Sequence, residues 1–517
     1  MVSMLRRYRT LLATTTVALL TGVIAAVAPD LSSAGGSAAT LTSWTAGAPV
    51  SDVSVSSTRY GRALPPAFIG LSVEYWALRE YLGADPKAIN PLFVKLVKAL
   101  APGTRVQVRI GGISQDRSWV PVPGMARPPG VWYSLNSNWL ADAHAFEQAS
   151  HARVTLGLNL AADSPLLAAY EARALVKAVG SANVAALEIG NEPDLYFRSS
   201  WYSDAPAAGL PARTSTYSAQ QYIDDANIWA AALPHLPLAG PALTTANWLP
   251  DTTAFATEIP GLRVFTAHHY PLWACQTDKQ AGDYPTMANL LTNNSSAGLA
   301  KGYALSVARA HAAGLSYRLD ELGSVSCAGK AGVSNTLGAA LWTVDTLFNF
   351  AKIGINGVNF HTLPGALYQP FTFTHSGSGW QAHIFPDYYG VLMFLRAFPE
   401  GARLLRLSAP SGSLKVWATI GRSGTIRVVL INQSGSSPRN IRLSLPGRPG
   451  ALSAQALTGA GLRAGNVTLG GQSFGARTST ATLGAPRTAL IEPHGGSYEI
   501  SVPASSAVLL TGTSPSG

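Results

Sequence analysis

From residue 66 to about residue 363, two hydrophobic patterns alternate along the chain. One consists of short runs that are apolar almost throughout and turn polar only near their ends. These are AFIGLSVEYW (67–76), RVQVRIGG (105–112), RVTLGLNL (153–160), VAALEIGN (184–191), LPLAGPAL (236–243), RVFTAHHYP (263–271), LSYRLDELG (315–323) and GVNFHTL (357–363). The other fills the gaps with stretches such as PKAINPLFVKLVKALA and SPLLAAYEARALVKAVG, whose apolar residues recur at helical spacing. A strand that shows no polar alternation is buried on both faces, the condition of a parallel strand sheathed by helices. Eight such units over about 300 residues predict an α/β fold, a (β/α)8 barrel.

From about residue 386 the pattern changes. LKVWATIG, TIRVVLINQ, NIRLSLPG, GSYEISVPA and SAVLLTG follow one another between Gly, Ser, Pro and Asn turns, with no helical stretch among them. Short strands at that spacing predict a β-sandwich. The segment SWTAGAPVSDVSVSSTRYGRALP, ahead of the barrel, is strand-like as well. The expected organisation is therefore a barrel over residues 62–385 and a sandwich built from 40–61 and 386–517. Residues 1–34 read differently again. A basic start (MLRRYRT), the Thr-interrupted apolar run LLATTTVALLTGVIAAVA and a small-residue tail describe a signal peptide, and imply a secreted protein. The run is short for a membrane span, and no other segment approaches one.

Charge adds little to this picture. The formal net charge is +10, which suits an anionic substrate or is simply a solubility trait. No dense Lys/Arg run interleaves with aromatics, so nucleic acid is not an expected partner. The chain has two cysteines, Cys275 and Cys327, and an even count in an exported chain implies one disulfide. No CxxC or HExxH spacing is present, so neither a metal nor a cofactor is expected. Nothing in the pattern bears on oligomeric state.

In such a barrel the chemistry gathers at the C-terminal ends of the strands. Read in order, those ends carry Glu74, then Arg109 with Gly111 and Gly112, then Asn191 and Glu192. His268, His269 and Tyr270 follow, then Asp320 and Glu321, and finally His361. Charged residues make up only 12% of the chain, so carboxylates at three strand ends stand out. Glu192 and Glu321 end strands four and seven. Cleaving a glycosidic bond takes one carboxylic acid to protonate the leaving oxygen and one ionised carboxylate opposite it; a separation of about 5 Å goes with retention of configuration. Glu192 is expected as acid/base and Glu321 as nucleophile, kept ionised by Arg109 and Tyr270. Alternation along strand seven lets one of Asp320 and Glu321 face the site, and Glu321 is the expected one. His268 and His269 point to opposite faces, so at most one lines the pocket. Glu188 is expected to be a paired structural charge.

GNEPD, combined with a glutamate ending strand seven, resembles the retaining glycosidases of the clan-A barrel superfamily. A closer resemblance is to glycoside hydrolase family 79, the β-glucuronidase and heparanase group. It is carried by GLSVEYW, VRIGGISQD, LEIGNEPD, HHYP and HTLPGALYQPF. The resemblance implies a barrel with a sandwich split across both termini, and a retaining exo-glycosidase acting on β-D-glucuronides. A neutral-sugar glycosidase of the same clan, an endo-acting heparanase-like enzyme and a non-catalytic carbohydrate-binding protein are the alternatives. It also implies that Asn191 contacts the sugar 2-hydroxyl, that Glu74, Tyr270 and His361 are polar contacts to the substrate, and that Ser114, at a polar loop position, binds substrate as well. Tyr368, with the backbone around Ala366 and Leu367, would receive the uronic carboxylate. Ile113–Ser114 stands where heparanase-like members carry Thr–Lys, which favours simpler β-glucuronides over sulfated heparan.

Overall fold

A computed structural model describes residues 41, 44–198, 200–201, 209–377, 379–410, 412–447 and 449–513. The expected signal peptide lies outside these residues. The eight apolar runs close into a barrel, and each strand is parallel to both neighbours. In chain order its strands are Ile69–Glu74, Gln107–Gly111, Arg153–Leu158, Val184–Ile189, Leu238–Leu243, Leu262–His269, Ser316–Leu322 and Gly357–Thr362. They are called strands one to eight below. The first and last are paired (Val358 with Ile69, Thr362 with Val73), so no edge is left open.

Local chemistry sets where the intervening helices start. Asn90 accepts from the amides of Leu92 and Phe93, with Pro91 at the first helical position. Ser164 and Thr336 cap in the same way, and Ser218 forms a capping box with Gln221. Each cap is worth about 1 kcal/mol. One helix departs from the amphipathic pattern. In Leu337–Ile353 every residue from Leu337 to Ala351 is buried, because the helix lies between the barrel and the second domain. Trp417 stacks on its Phe348 (5.2 Å) and donates from Nε1 to Asp345 Oδ1 at 2.8 Å.

The second domain is a ten-stranded sheet. The strand Val50–Tyr60 lies inside it, antiparallel to Arg403–Ser408 and parallel to Arg439–Ser444. Strand Thr425–Asn432 shows how the sheet is used on both faces. Ile426, Val428 and Leu430 join Val53, Leu443 and Ile500 in the sheet's own core, while Val429 and Ile431 join the barrel's core. The region beyond residue 386 does not open with a strand. Pro386–Ala397 is a helix with proline at its first turn, and the next strand begins at Arg403.

Strand seven breaks its expected alternation. Its register with strand six shifts between Leu319 and Glu321, and its register with strand eight shifts between Leu319 and Leu322. Such an irregularity re-aims side chains. Both Asp320 and Glu321 consequently reach Arg109, which corrects the expectation that only one of them could face inward.

Candidate active site

Arg109, on strand two, is fully buried in the barrel. Its Nε donates to Glu188 Oε2 (2.5 Å) and lies 3.3 Å from Asp320 Oδ2. Nη1 donates to Glu321 Oε1 (2.7 Å), and Nη2 to Asn191 Oδ1 (2.8 Å) and Gln115 Oε1 (3.2 Å). One cation thus serves three acids, and it cannot neutralise them all. Burial alone would raise Glu188, but Arg109, the Asp320 carboxyl and His268 together outweigh it and hold the carboxyl below its ordinary value. Asp320 is also buried and faces Glu188, and its carboxyl is held well above the usual range. Asp320 is therefore the neutral acid of the group.

Glu321 sits above this cluster. Burial opposes its charge, yet His268, His361 and Arg109 together bring it down to about 2. Its second oxygen accepts from the Tyr270 hydroxyl at 3.0 Å. The Tyr270 ring can lie there because residue 323 is glycine: a Cβ at that position would come within 2.5 Å of Tyr270 Cε1.

Glu192 follows strand four in a different setting. Its backbone is left-handed (φ 52°, ψ 49°), a conformation that costs a residue other than glycine of order 1 kcal/mol or more. Bonds from Glu192 N to Ala242 O and from Leu195 N to Glu192 O hold it there. The side chain is 26% exposed, against 7% for Glu321, and its Oε1 lies 3.0 Å from His268 Nδ1. One oxygen of each glutamate and a ring nitrogen of His268 lie within 4.8 Å of one another. Such a group could in principle hold an ion. Here, however, Glu321 is engaged by Arg109 and Tyr270, and His268 by Glu192.

The remaining candidates fall around this pair. Asn191 gives its side-chain oxygen to Arg109 and its amide to Asp116 Oδ2. Glu74 accepts from the amides of Ile113 (3.2 Å) and Ser114 (2.8 Å), and its Oε1 lies 3.4 Å from His361 Nε2. Gly112 permits that approach: it has φ +86°, and a Cβ there would come within 2.6 Å of Glu74. His361 meets Ser72 Oγ through Nδ1. Burial disfavours its charge, but Glu321 and Glu74 prevail and its pKa is raised. Tyr368 packs against Tyr270 and His361, with ring centroids 5.5 and 6.3 Å away.

Two expectations need correcting. The Ser114 side chain is buried, accepts from Tyr75 N and donates to Gly111 O, so it builds the loop and is not free for a ligand. The amides of Ala366 and Leu367 already donate to Leu363 O and Ala328 O, and the Tyr368 side chain is hydrogen-bonded to Tyr270. Three participants were not singled out by pattern. His268 faces the glutamates while His269 turns outward to Tyr303; alternation separates the two without saying which is inside. Asp320 was hidden by the register shift. Asp116, within VRIGGISQD, accepts from Asn191 N, Leu160 N, Ala161 N and the Tyr196 hydroxyl. Burial raises it to about 6 in spite of those bonds. Cys275 and Cys327 are joined by a disulfide across the loops after strands six and seven.

A closed parallel barrel with a separate β-sheet domain, and two glutamates facing each other at its mouth, defines a glycoside hydrolase. Residues 416–509 match the glycosyl hydrolase family 79 C-terminal beta domain. A β-glucuronidase of Aspergillus niger is 24% identical over 405 residues, which cover 71% of this chain and 71% of that protein. The chain is accordingly a glycoside hydrolase whose C-terminal domain is similar to that of family 79. Among solved structures, a 4-O-α-L-rhamnosyl-β-D-glucuronidase of Fusarium oxysporum superposes with a TM-score of 0.66 at 20% identity, covering 89% of this chain and 100% of that one. A GH51 arabinofuranosidase of Xanthomonas axonopodis gives 0.64 at 15% identity, covering 90% and 99%. At these identities the two structures share the fold.

Proposed function

We propose that the protein is a secreted, retaining exo-β-D-glucuronidase in which Glu192 is the acid/base and Glu321 the nucleophile. The observation that carries this reading is the spacing of the pair. Oxygens within 4.8 Å fit the retaining arrangement of about 5 Å, and leave no room for the water that an inverting enzyme places between carboxyls about 6.5–9.5 Å apart. The electrostatics divide the roles. Glu321, sealed and held ionised, attacks the anomeric carbon to form a glycosyl ester. Glu192, open to solvent, protonates the departing oxygen and then takes a proton from the water that cleaves the ester. Asn191 and Glu74 are the proposed sugar contacts, and Tyr368 with its backbone amide the proposed contact for the uronate. The Aspergillus relative supports the glycon.

One observation favours a second reading, a neutral glycon. Arg109, the guanidinium that holds Glu321, is wholly engaged by acids, amides and the Ser72 hydroxyl, so it has no donor to offer a uronate. Rates on matched nitrophenyl β-glucuronide, β-glucoside and β-xyloside decide between the two; a preference for a neutral sugar sinks the glucuronide assignment. Retention is read by NMR from the first anomer released. Glu321→Gln is expected to lower kcat by at least about a thousandfold, and turnover that survives it rules out the nucleophile.

A further inference from the structure

Both tryptophans with large exposed surfaces, Trp132 (43%) and Trp273 (42%), sit on loops at the mouth of the barrel. Trp273 is the better placed. It lies three residues beyond Tyr270, hence no farther than about 11 Å from it along the chain, a separation that one or two pyranose rings span. Its loop is also unusually well tied. Leu272–Trp273 pairs with Val325–Ser326 of the loop after strand seven, and the Cys275–Cys327 disulfide closes the same two loops. The Trp273 amide donates to Asp283 O, and that of Ala274 to Ser326 O. The indole Nε1 donates to Cys327 Sγ, so the ring's one polar atom is spent inside the protein. What it leaves to solvent is apolar ring surface on a rigid mount. Such a surface binds without first losing the freedom of a mobile loop.

We infer that Trp273 is a stacking platform for a sugar ring of the leaving group, a site just outside the pocket that holds the scissile sugar. The inference rests on the proposed exo action, which places everything beyond the terminal uronate on the leaving side. A plain cap over the disulfide would give the same contacts to Cys327 but no preference for the leaving group. The test therefore compares two glucuronides, methyl β-D-glucuronide and a disaccharide carrying the same glucuronosyl unit on a hexose. In Trp273→Ala the ratio of kcat/KM for disaccharide over methyl glycoside should fall roughly tenfold, mainly through KM, as loss of one stacked ring implies. Trp273→Phe, which keeps an aromatic ring over the disulfide, should keep most of the ratio. An unchanged ratio in Trp273→Ala overturns the platform, as does a larger fall in Trp132→Ala. If neither glucuronide is cleaved but the matching glucosides are, the glycon assignment fails, and the platform is judged by the same ratio on the glucoside pair.

Discussion

Replacing Arg109 with methionine would keep much of the side-chain volume while removing the cation on which Glu188, Asp320 and Glu321 converge. Holding a carboxyl at about 2 instead of 4.5 favours its ionised form by about 3 kcal/mol. Burial pushes the other way, and His268 and His361 share the opposing effect with Arg109. Glu188 depends on Arg109 more directly, for both charge and hydrogen bond, and is fully buried. Deleting one partner of a buried ion pair costs about 3–5 kcal/mol, a large share of the total of about 5–15 kcal/mol that domains possess. The pH dependence supplies the sharper check. Glu188 and Glu321 both have folded pKa values below their unfolded ones. Their stabilisation is therefore complete above about pH 4.5 and is lost as the pH falls toward 2. Arg109→Met lacks the Arg109 share of that contribution, which is the largest favourable one for Glu188. Its deficit against wild type should be largest near pH 7 and should shrink as the pH is lowered through 4.5. Urea midpoints of both proteins at about pH 7 and about pH 3.5 measure it. A deficit below about 1 kcal/mol at neutral pH, or one that does not change with pH, would refute the cluster as the anchor of the site. Arg109→Lys keeps the charge but not the fork, and should fall between the two.

Gly323→Ala should lower kcat/KM at least about tenfold with the fold intact by circular dichroism. The new Cβ would have to push Tyr270 off Glu321, so wild-type rates would mean that the tyrosine contact is dispensable. Asp320→Asn should shift stability by less than about 1 kcal/mol in thermal unfolding, because the native residue is already the neutral member of its cluster. A loss of several kcal/mol would show that an ionised Asp320 is required.

The barrel could be read from the sequence because its cause is local and repeated. Eight runs without alternation can be buried on both faces only if helices cover them, and strand seven carries its signal in YRLDEL just as strand one does in IGLSVE. The strand ahead of the barrel was also visible, since VSDVSVSS alternates, but its partners were not. Pairing with Arg403–Ser408 and Arg439–Ser444 joins residues more than three hundred positions apart, and no short-range pattern encodes that. The helix at Pro386–Ala397 was lost for the opposite reason. Its PDYYGVLMFLRA is a good helical segment read inside a region already assigned to strands.

The site divides in the same way. Residues at strand ends could be named from position alone, and Glu192, Glu321, Arg109 and Tyr270 all meet where barrel topology brings such ends together. What topology leaves open is which way a side chain turns once the register slips. At Leu319–Glu321 the strict period of two fails, and two adjacent acids enter one cavity. Two ionised carboxylates could not both be held there by Arg109 alongside Glu188, so one must keep its proton, and the deeper, drier Asp320 does. The slip thus sets a proton-bearing acid beside Glu321, whose own charge is kept by His268, His361 and Arg109. Being neutral, Asp320 fills the space beside Arg109 without drawing on its charge, and Nη1 of the fully engaged guanidinium keeps its bond to Glu321.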